Sequence, residues 1–518
     1  MKNFKNIIIL LVTVIVTFTI GCKKLEVDNL NNPDRDKALA KPADVRSIAG
    51  GALRAWFVGT RGDESSLQYA LEVTADQHTC SWGNFAMQDM SWEPRKAWTN
   101  TISYIDAPCT DGIWSNMYSA NSQVNDVLIK LEEGMDIGEG GADNDMIKAI
   151  CYFVQGVAHG TIGAIFDQGG IVDETTDLEN VELVPYTDVI DAALGYLDKA
   201  IEVLENLDAP FTLDANWING YAAFTDADLL ELCNSYAARI MVMGSRTKAQ
   251  NEALDWTKVL SYAEDGLSFD FAPVGDALPY DGGVWYDLPK YYLNNTGWGR
   301  IDCRILNLMD PDYPPFYAAS GLATDMPNDG AVTSADARLA SDFEFLPSCN
   351  FRPERGYWHF SHYRYARFDD EGLLAGTNPL YDFRKADNDM LIAEAMARTS
   401  NLTGAIDIIN AGTRVTRGML PPVDAGATLD EVLDAIFYER DIELIDAGFA
   451  IAYTDMRRRD MLQNGTPLHF PLPAGEIAVL LLDDYTFGGA ANADGINTAS
   501  GGWIEDGVFN GNYTYPDY

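Results

Sequence analysis

The sequence predicts a mainly α-helical protein of stacked helical hairpins, with a long loop-rich insertion that carries minor β structure. Three observations predict it. Apolar residues recur at helical spacing along most of the chain. Small residues lie where paired helices would cross, as in tetratricopeptide-like stacks, although the strict repeat signature is absent. Residues from about 269 to 381 lose the helical period and are rich in Gly, Pro, Asp and aromatic residues, which indicates a functional segment or subdomain.

The first 24 residues, MKNFKNIIILLVTVIVTFTIGCKK, have the layout of a bacterial lipoprotein signal. Two lysines precede the apolar run Ile7–Ile20, which is short for a spanning helix of ~20 residues. We therefore predict a signal peptide at 1–21 and lipid attachment to Cys22. An ordinary secretory signal is the alternative, because Thr19 stands where a lipobox usually has leucine. Residues 22–40 are predicted to be a tether between the lipid and the domain.

Helical periodicity is clearest between Pro185 and Asp208, where apolar residues lie three or four positions apart. The same spacing predicts further helices at about 114–132, 143–166, 228–244, 252–267, 387–399, 402–417 and 428–446. The longest late apolar run, Ile477–Leu482, has the length of a strand or a core segment and is too short to span a membrane.

The net charge of the chain excludes some partners. It is −42, from 78 acidic and 36 basic residues. Such a surface repels phosphate backbones, so we predict no nucleic-acid partner. It also opposes an electrostatic hold on anionic lipid, so membrane attachment would depend on the lipidated cysteine. The charge itself is interpreted as favouring solubility outside the cell.

Seven cysteines become six if one carries lipid, and an exported protein can form disulfides. Two pairs lie in loop-like contexts where bridges could form, Cys80 with Cys109 and Cys303 with Cys349. Cys151 and Cys233 lie in helical apolar patterns and are predicted to be buried thiols. The chain has no CxxC pair, which argues against structural zinc.

Several motifs occur in a fixed order along the chain. The C-terminal ones lie in MLIAEAMARTSNLTGAIDIINAGTRVTRGMLP (390–421), IFYERDIELIDAGFAIAYTDMRRRDML (436–462) and FPLPAGEI (470–477); the N-terminal ones lie in WSNMYSANSQVNDVL (114–128) and KAICYFVQGVAHGTIGAIFDQGGIVDE (148–174). This order resembles the SusD/RagB family, surface lipoproteins of Bacteroidota that bind nutrients, chiefly glycans. A departure is Ala447–Phe449, where the family usually has E-G-x-R.

The resemblance implies a SusD-like domain over 41–518. Its helical scaffold would cover about 41–268 and 382–480, and the aromatic loop-rich subdomain about 269–381. It also implies a protein on the exterior of the outer membrane that captures a glycan and delivers it to a SusC-like TonB-dependent transporter. A binder of peptide or another nutrient on the same scaffold is an alternative, and a surface glycosidase is a further one.

The charged residues of these motifs are interpreted as structural. Glu394, Glu439 and Glu443 lie on predicted helices near arginines 414, 417 and 440. Charge pairs at helix crossings fix packing, so no chemistry is assigned to them.

A search for catalytic motifs predicts that the protein is not an enzyme. GxSxG, GxxxxGK[ST], complete GxGxxG and HExxH are all absent. His359 and His362 have the spacing of a metal pair but lie in an aromatic stretch, so no metal site is predicted. The motif Asp226-x-Asp228-x-x-Glu231 could indicate calcium, but it opens a predicted helix and is interpreted as a cap. No cofactor is therefore predicted.

Aromatic residues in the predicted loops are the better candidates for ligand binding. They lack the spacing of a helical core stripe, and flat rings with polar neighbours suit a sugar, which has an apolar face and a rim of hydroxyls. The candidates are Trp82, Asn84, Trp92, Trp98, Trp285, Tyr286, Tyr291, Tyr292, Trp298 and Arg300. We expect at least one of these tryptophans to be exposed in a shallow pocket. The alternative is that they fill gaps between loops and helices.

Overall fold

The computed structural model describes residues 35–61, 65–80, 83–313, 315, 331–347 and 359–502. The predicted signal peptide, Cys22, the tether up to residue 34, Trp82 and Cys349 lie outside the described residues. Within these ranges the fold is mainly α-helical, as predicted.

The longer helices form the scaffold, and shorter ones lie in the connections. In chain order they are α1 (Arg35–Ala38), α2 (Pro42–Arg61), α3 (Gln68–Thr74), α4 (Met87–Met90), α5 (Pro108–Glu132), α6 (Asn144–Ile165), α7 (Tyr186–Glu205), α8 (Asp226–Met243), α9 (Lys248–Glu252), α10 (Trp256–Glu264), α11 (Leu288–Asn294), α12 (Cys303–Met309), α13 (Arg338–Asp342), α14 (Lys385–Arg398), α15 (Leu402–Ala411), α16 (Thr413–Thr416), α17 (Leu429–Glu443), α18 (Ile451–Arg457) and α19 (Ala474–Leu480).

Three two-stranded antiparallel sheets supply the minor β structure of the described residues. β1 (His78–Thr79) pairs with β4 (Arg300–Ile301), β2 (Gln168–Gly170) with β3 (Leu183–Pro185), and β5 (Phe343–Phe345) with β6 (Tyr363–Tyr365). β4, β5 and β6 lie in the loop-rich insertion, where β structure was predicted. The insertion also contains the short helices α11, α12 and α13.

Most of the predicted helix ends are confirmed to within four residues, but α5 begins six residues before its predicted start, and one predicted helix is divided. The segment predicted at 402–417 is broken at Gly412, whose backbone is extended (φ −85°, ψ −160°), so that α15 and α16 are separate helices. The segment predicted at 252–267 is shorter, since α10 begins only at Trp256.

Helices α6, α7 and α8 form the centre of the hairpin stack. A Cβ on Gly156 would lie 2.6 Å from Leu197, and one on Gly163 would lie 3.0 Å from Ile190, so α6 and α7 run antiparallel at close range. Gly160 faces Ile240 of α8 in the same way. Each fully buried aliphatic side chain in such an interface contributes about 1.5–3 kcal/mol of transfer free energy.

Two polar residues of α5 bond to the turn after α6. The Tyr118 hydroxyl donates to the Gly170 carbonyl (2.9 Å) and accepts from the Gly170 N–H (2.8 Å). The Asn121 amide donates to the Val172 carbonyl at 2.7 Å. These bonds join α5 to residues 170–172, so Tyr118 and Asn121 have a structural role.

The predicted structural role of the charged motif residues is confirmed, with some different partners. Glu394 pairs with Arg458 at 2.8 Å, and Glu439 pairs with Arg338 at 2.8 Å. Glu443 pairs with Arg417 at 2.6 Å, and Arg417 is one of the arginines predicted to lie near it. All three carboxylates are buried, so these contacts fix how α14 and α17 pack against their neighbours.

The Asp226 motif caps α8, as predicted. The Thr225 hydroxyl accepts from the Asp228 N–H, and the Asp228 carboxylate accepts from the Thr225 N–H at 2.8 Å, which forms a capping box. Glu231 accepts from the backbone and hydroxyl of Ser268, at 2.8 Å each.

The structure confirms the predicted context of two cysteines and corrects that of two others. Cys151 and Cys233 are buried free thiols, as predicted. Cys109 and Cys303 lie in the first turns of α5 and α12, so their predicted loop context is wrong.

None of the helices in the described ranges is both long and apolar enough to cross a bilayer. The late apolar run lies at the end of α19, where Val479–Leu482 are exposed, so its interpretation as a strand or core segment is wrong for these four residues.

Candidate ligand-binding site

The β1–β4 pair brings two distant loops together. His78 pairs with Ile301, and Thr79 pairs with Arg300. Beside this pair, the Cys80 thiol donates to the Trp298 carbonyl at 3.4 Å. The loop after β1 and the segment before β4 therefore lie side by side, and these are the loops that carry the two predicted aromatic clusters.

Four partly exposed rings from these segments form what we call the aromatic platform, Phe85, Tyr291, Tyr292 and Trp298. Phe85 and Trp298 lie in loops, whereas Tyr291 and Tyr292 lie on α11, so the loop context predicted for these two tyrosines is wrong. The ring centroids of Tyr292 and Trp298 are 4.7 Å apart, and those of Tyr291 and Tyr292 are 5.1 Å apart. Phe85 is nearly parallel to Trp298, with an interplanar angle of 15° and a centroid separation of 6.4 Å. The platform thus consists of neighbouring rings that are each partly exposed to solvent.

Phe85 was not predicted. It lies between Asn84 and Gln88 in the first cluster, and its ring stacks on Tyr69 at 4.6 Å. Phe85 and Ala86 both have φ of 58°, in the left-handed region. Each such non-glycine residue costs roughly 1–2 kcal/mol. Strained residues of this kind cluster at binding sites, and the strained pair here includes a residue of the platform.

A cleft of about 750 Å³ lies beside these loops. It is bounded by the C-terminal half of α2, the N-terminal half of α5, residues 65–67 and residues 283–286. Its polar lining includes Arg54, Asp111, Ser115, Asn116 and Tyr286. Of these, Tyr286 was predicted from the sequence.

The cleft and the aromatic platform share their supporting elements. Leu67 lines the cleft, and Tyr69, two residues later, carries Phe85. Tyr286 lines the cleft just before α11, the helix that carries Tyr291 and Tyr292. Asp287 caps that helix by accepting from the Lys290 N–H at 3.0 Å. The capped helix α11 therefore links the cleft wall at Tyr286 to the platform rings of Tyr291 and Tyr292.

Asp111 lies at the cleft wall with an altered acidity. Burial raises the pKa of the Asp111 carboxyl, although the Gly475 N–H donates to it at 3.2 Å and opposes the rise. Glycoside hydrolysis commonly uses two carboxyl groups facing one substrate. Among the described residues that line this cleft, Asp111 is the only one with a carboxylate side chain.

Four predicted candidates lie inside the protein. Trp98 packs against Phe470 with ring centroids 5.2 Å apart, and Trp285 packs against Phe57 at the same separation. Trp92 and Arg300 are also buried. These side chains support the loops from within and do not face solvent in this structure. Asn84 and Trp298 are partly exposed, and the predicted shallow pocket around a tryptophan stays a prediction.

Two buried groups of histidine and carboxylates have the composition of metal ligands. In the first, the two ring nitrogens of His78 face different carboxylates, Glu72 at 3.5 Å and Asp446 at 3.8 Å. Burial alone would lower the pKa of His78, but Asp446 and Glu72 outweigh it and raise that pKa. A protonated His78 therefore pairs with both carboxylates, and the group is explained without a metal ion.

In the second group, Arg95 lies between the carboxylates. It contacts Asp76 at 2.5 Å and Glu93 at 3.1 Å, and His359 contacts Glu93 at 3.4 Å. The Arg95 guanidinium therefore forms ion pairs with both carboxylates of this group. His362, the other member of the predicted pair, instead places Nδ1 2.8 Å from the Leu346 carbonyl oxygen.

Comparisons with known proteins identify similar folds. No family model matches the chain, and no curated protein matches it in sequence. A SusD-like carbohydrate binding protein from Bacteroides vulgatus matches with a TM-score of 0.57 and 15% identity, over 82% of this chain and 86% of that one. A SusD superfamily protein from Parabacteroides distasonis matches with a TM-score of 0.57 and 12% identity, over 84% and 97%. Surface glycan-binding protein A from Bacteroides uniformis matches with a TM-score of 0.54 and 13% identity, over 84% and 97%.

Proposed function

We propose that this chain, which has the SusD-like fold, is a non-enzymatic protein that binds a glycan at the cell surface. The observation that carries the proposal is the aromatic platform, in which the partly exposed rings of Phe85 and Trp298, on loops, lie next to those of Tyr291 and Tyr292, on the short helix α11. Binding residues are found disproportionately on such loops.

The chemistry of the platform matches that of a sugar ring. The C–H face of a pyranose is apolar and packs on an aromatic face, while its hydroxyls require donors and acceptors. Tyr291 and Tyr292 supply phenolic hydroxyls next to their rings, and Asn84 precedes Phe85 at the platform edge. The adjoining cleft adds hydroxyl, amide and guanidinium groups. An extended oligosaccharide could contact both surfaces.

Capture without hydrolysis is supported by the cleft lining. One described carboxylate, Asp111, lies there, and the acid–base pair that glycosidases use would need a second. Similar folds include proteins described as carbohydrate binding and as surface glycan-binding. These descriptions support the class of ligand that we assign.

The remaining parts of the proposal concern location and partner. Lipid on Cys22 would hold the protein on the exterior of the outer membrane, and residues 22–40 would serve as its tether. The bound glycan would pass to a SusC-like TonB-dependent transporter. Affinity for the glycan would be modest, because a ligand with a long residence time would not be handed on. The function requires no metal or other cofactor.

The test is titration of a glycan panel into soluble protein spanning residues 23–518, followed by the double variant Tyr292→Ala, Trp298→Ala. We expect at least one glycan to bind and the double variant to bind it at least about tenfold more weakly, as for loss of a hot spot. Isothermal calorimetry measures the affinities, and circular dichroism establishes that the variant is folded.

Tyr152→Ala provides a matched control, because Tyr152 is a partly exposed aromatic residue on α6, away from these loops. It should retain wild-type affinity. Binding of peptides with no glycan binding would favour the alternative nutrient class. Release of reducing ends that stops on replacement of one carboxylate would establish hydrolysis and contradict the proposal.

A further inference from the structure

One arginine in the ligand cleft has no partner within the described part of the protein. Arg54, on α2, lines the cleft and is exposed. Each of the other arginines in the described ranges contacts a carboxylate, a carbonyl oxygen or an aromatic ring, whereas Arg54 makes no such contact there. The chain has 78 acidic and 36 basic residues, so acids are available to pair with nearly every base. An arginine left unpaired inside a cleft is therefore a candidate for ligand recognition.

The part of the cleft that holds Arg54 is a groove between α2 and α5. A Cβ on Gly59 of α2 would lie 2.9 Å from Asn116 of α5, so the two helices approach closely there. Along α5, Gly112, Asn116 and Ser119 line the cleft at spacings of four and three, which places them on one helix face. A Cβ on Gly112 would meet no atom within 4 Å, so the groove is open at this position.

The polar side chains of α5 in this groove also have unused hydrogen-bonding capacity. Asn116 and Ser119 are exposed, and their side chains form no hydrogen bond with any described residue. A guanidinium can only donate, whereas an amide and a hydroxyl can both donate and accept. The groove is therefore rich in donors, and a ligand that binds in it should be rich in acceptors.

The carboxylate in the cleft lining is already engaged by α19. Asp111 accepts from the Gly475 N–H at 3.2 Å, and a Cβ on Gly475 would lie 3.0 and 3.4 Å from its two carboxylate oxygens. Helix α19 thus packs directly against this carboxylate. Asp111 forms no ion pair with Arg54, so the positive charge of Arg54 remains available to a ligand.

A sugar carboxylate is the chemical group that fits an unpaired arginine best. The planar guanidinium donates two parallel N–H bonds to the two oxygens of a carboxylate, and the charges strengthen both bonds. A neutral hydroxyl offers neither the second oxygen nor the charge. Repulsion from the net charge of the chain is screened beyond about 8 Å at physiological ionic strength, so a nearby guanidinium decides how a group held in the groove interacts.

We propose that the glycan captured by this protein is acidic, and that Arg54 binds the carboxylate of a uronic acid residue in the groove between α2 and α5. Asn116 and Ser119 bond to hydroxyls of the same sugar or its neighbour. The inference rests on the proposed function and names the class of glycan. The aromatic platform binds other sugars of the chain by their apolar faces, while Arg54 provides the preference for an acidic over a neutral glycan.

The test is calorimetric titration of the soluble protein spanning residues 23–518, which contains every described residue. The probes are oligogalacturonate, alginate and hyaluronan oligosaccharides, each compared with its carboxyl-reduced, neutral counterpart, and a carrageenan oligosaccharide as the sulfated probe. We expect at least one uronate probe to bind at least about tenfold more tightly than its neutral counterpart, as for charge-assisted hydrogen bonds.

Substitutions of Arg54 show whether it causes this preference. Arg54→Gln should reduce the preference to less than about twofold and leave affinity for the neutral counterpart within about twofold of wild type. Arg54→Lys keeps the charge but loses the planar fork, so an intermediate preference is expected. Lys41→Gln is the matched control, because it removes the same charge from an exposed residue just before α2 and outside the cleft lining. It should leave the preference unchanged, and circular dichroism establishes that each variant is folded.

Each other outcome would contradict a specific part of the inference. Binding of neutral glycans with no preference for any uronate probe would overturn it and leave glycan capture intact. A preference for a uronate that Arg54→Gln leaves unchanged would refute the assignment to Arg54. Binding of the sulfated probe alone, lost in Arg54→Gln, would replace the carboxylate by a sulfate ester and so overturn the inference. Failure of every glycan to bind, neutral and acidic, would contradict the proposed function as well.

Discussion

His159 and His359 are both buried, but their pKa values move in opposite directions. On α6, burial lowers the pKa of His159 to about 4, and its Nε2 accepts from the Val172 N–H at 3.1 Å. Burial acts in the same sense on His359, but Asp302 and Asp76 outweigh it and raise the pKa of His359 to about 10. The two histidines therefore report two kinds of interior.

The interior around α6 and α7 is mainly apolar. Buried charged groups surround His359, which contacts Glu93 and Asp302 at 3.4 Å each, and buried ion pairs also join α14, α17 and α18. Arg440 contacts Asp387 and Asp455 at 2.6 Å each, and Arg458 contacts Asp455 at 2.8 Å. The first interior depends on shape and tolerates loss of charge. The second depends on complete pairing, since a buried charge without its partner is destabilising by several kcal/mol.

The largest effect should follow removal of one cation from the charged interior. Arg458→Met leaves Glu394 and Asp455 buried with one guanidinium fewer between them. We expect the free energy of unfolding to fall by about 3–5 kcal/mol in urea denaturation. Lys248→Met is the control, because the Lys248–Glu252 pair is exposed and contributes about 0.5 kcal/mol or less. Equal effects of the two variants would contradict the comparison.

A smaller effect should follow overpacking of the apolar interior. Gly156→Ala would place a Cβ 2.6 Å from Leu197, which should cost about 1–3 kcal/mol of unfolding free energy. Gly195→Ala, also within a helix, meets no atom within 4 Å and should stabilise by up to about 1 kcal/mol. Thermal unfolding measures both changes, and a shift of the same sign in both variants would refute the packing argument.

Per pH unit, the smallest effects should appear as slopes of the unfolding free energy against pH, of at most about 1.4 kcal/mol for each histidine. The pKa of His359 is raised, so its stabilisation is complete below pH 6.5 and is lost as pH rises toward about 10. The pKa of His159 is lowered, so its stabilisation is present above pH 6.5 and is lost as pH falls toward about 4. Urea denaturation from pH 4 to 10 measures both slopes.

Two substitutions show which histidine causes each slope. His359→Gln should flatten the alkaline limb relative to wild type and leave the acid limb unchanged, and His159→Gln should do the reverse. If either variant altered both limbs equally, the two histidines would not report separate interiors.

The helical scaffold could be predicted because its signal is local. Apolar spacing marked α7 and its neighbours without knowledge of their partners. Helix α2 escaped prediction, since Gly50, Gly51 and Gly59 interrupt its pattern. The reason for Gly50 is that a Cβ there would lie 2.4 Å from Trp217, a residue far away in sequence. Such an approach is visible only in the folded chain.

The candidate site could be predicted only in part. The sequence located the two aromatic loops, and Tyr291, Tyr292 and Trp298 do form part of the platform. The sequence could not distinguish these partly exposed rings from the buried Trp98 and Trp285. The burial of a loop residue depends on the segments that pack over it, and it produces no periodic pattern in the sequence. Phe85 was overlooked because one phenylalanine among polar residues is unremarkable until β1 pairs with β4.

The pairing of β1 with β4 joins residues more than two hundred positions apart. Closing so long a loop is entropically unfavourable until the intervening segments have folded, so contacts of this kind form late. The helical hairpins are local and can form early. A newly made chain would therefore acquire its helical scaffold first, and the aromatic platform would be among the last parts to form.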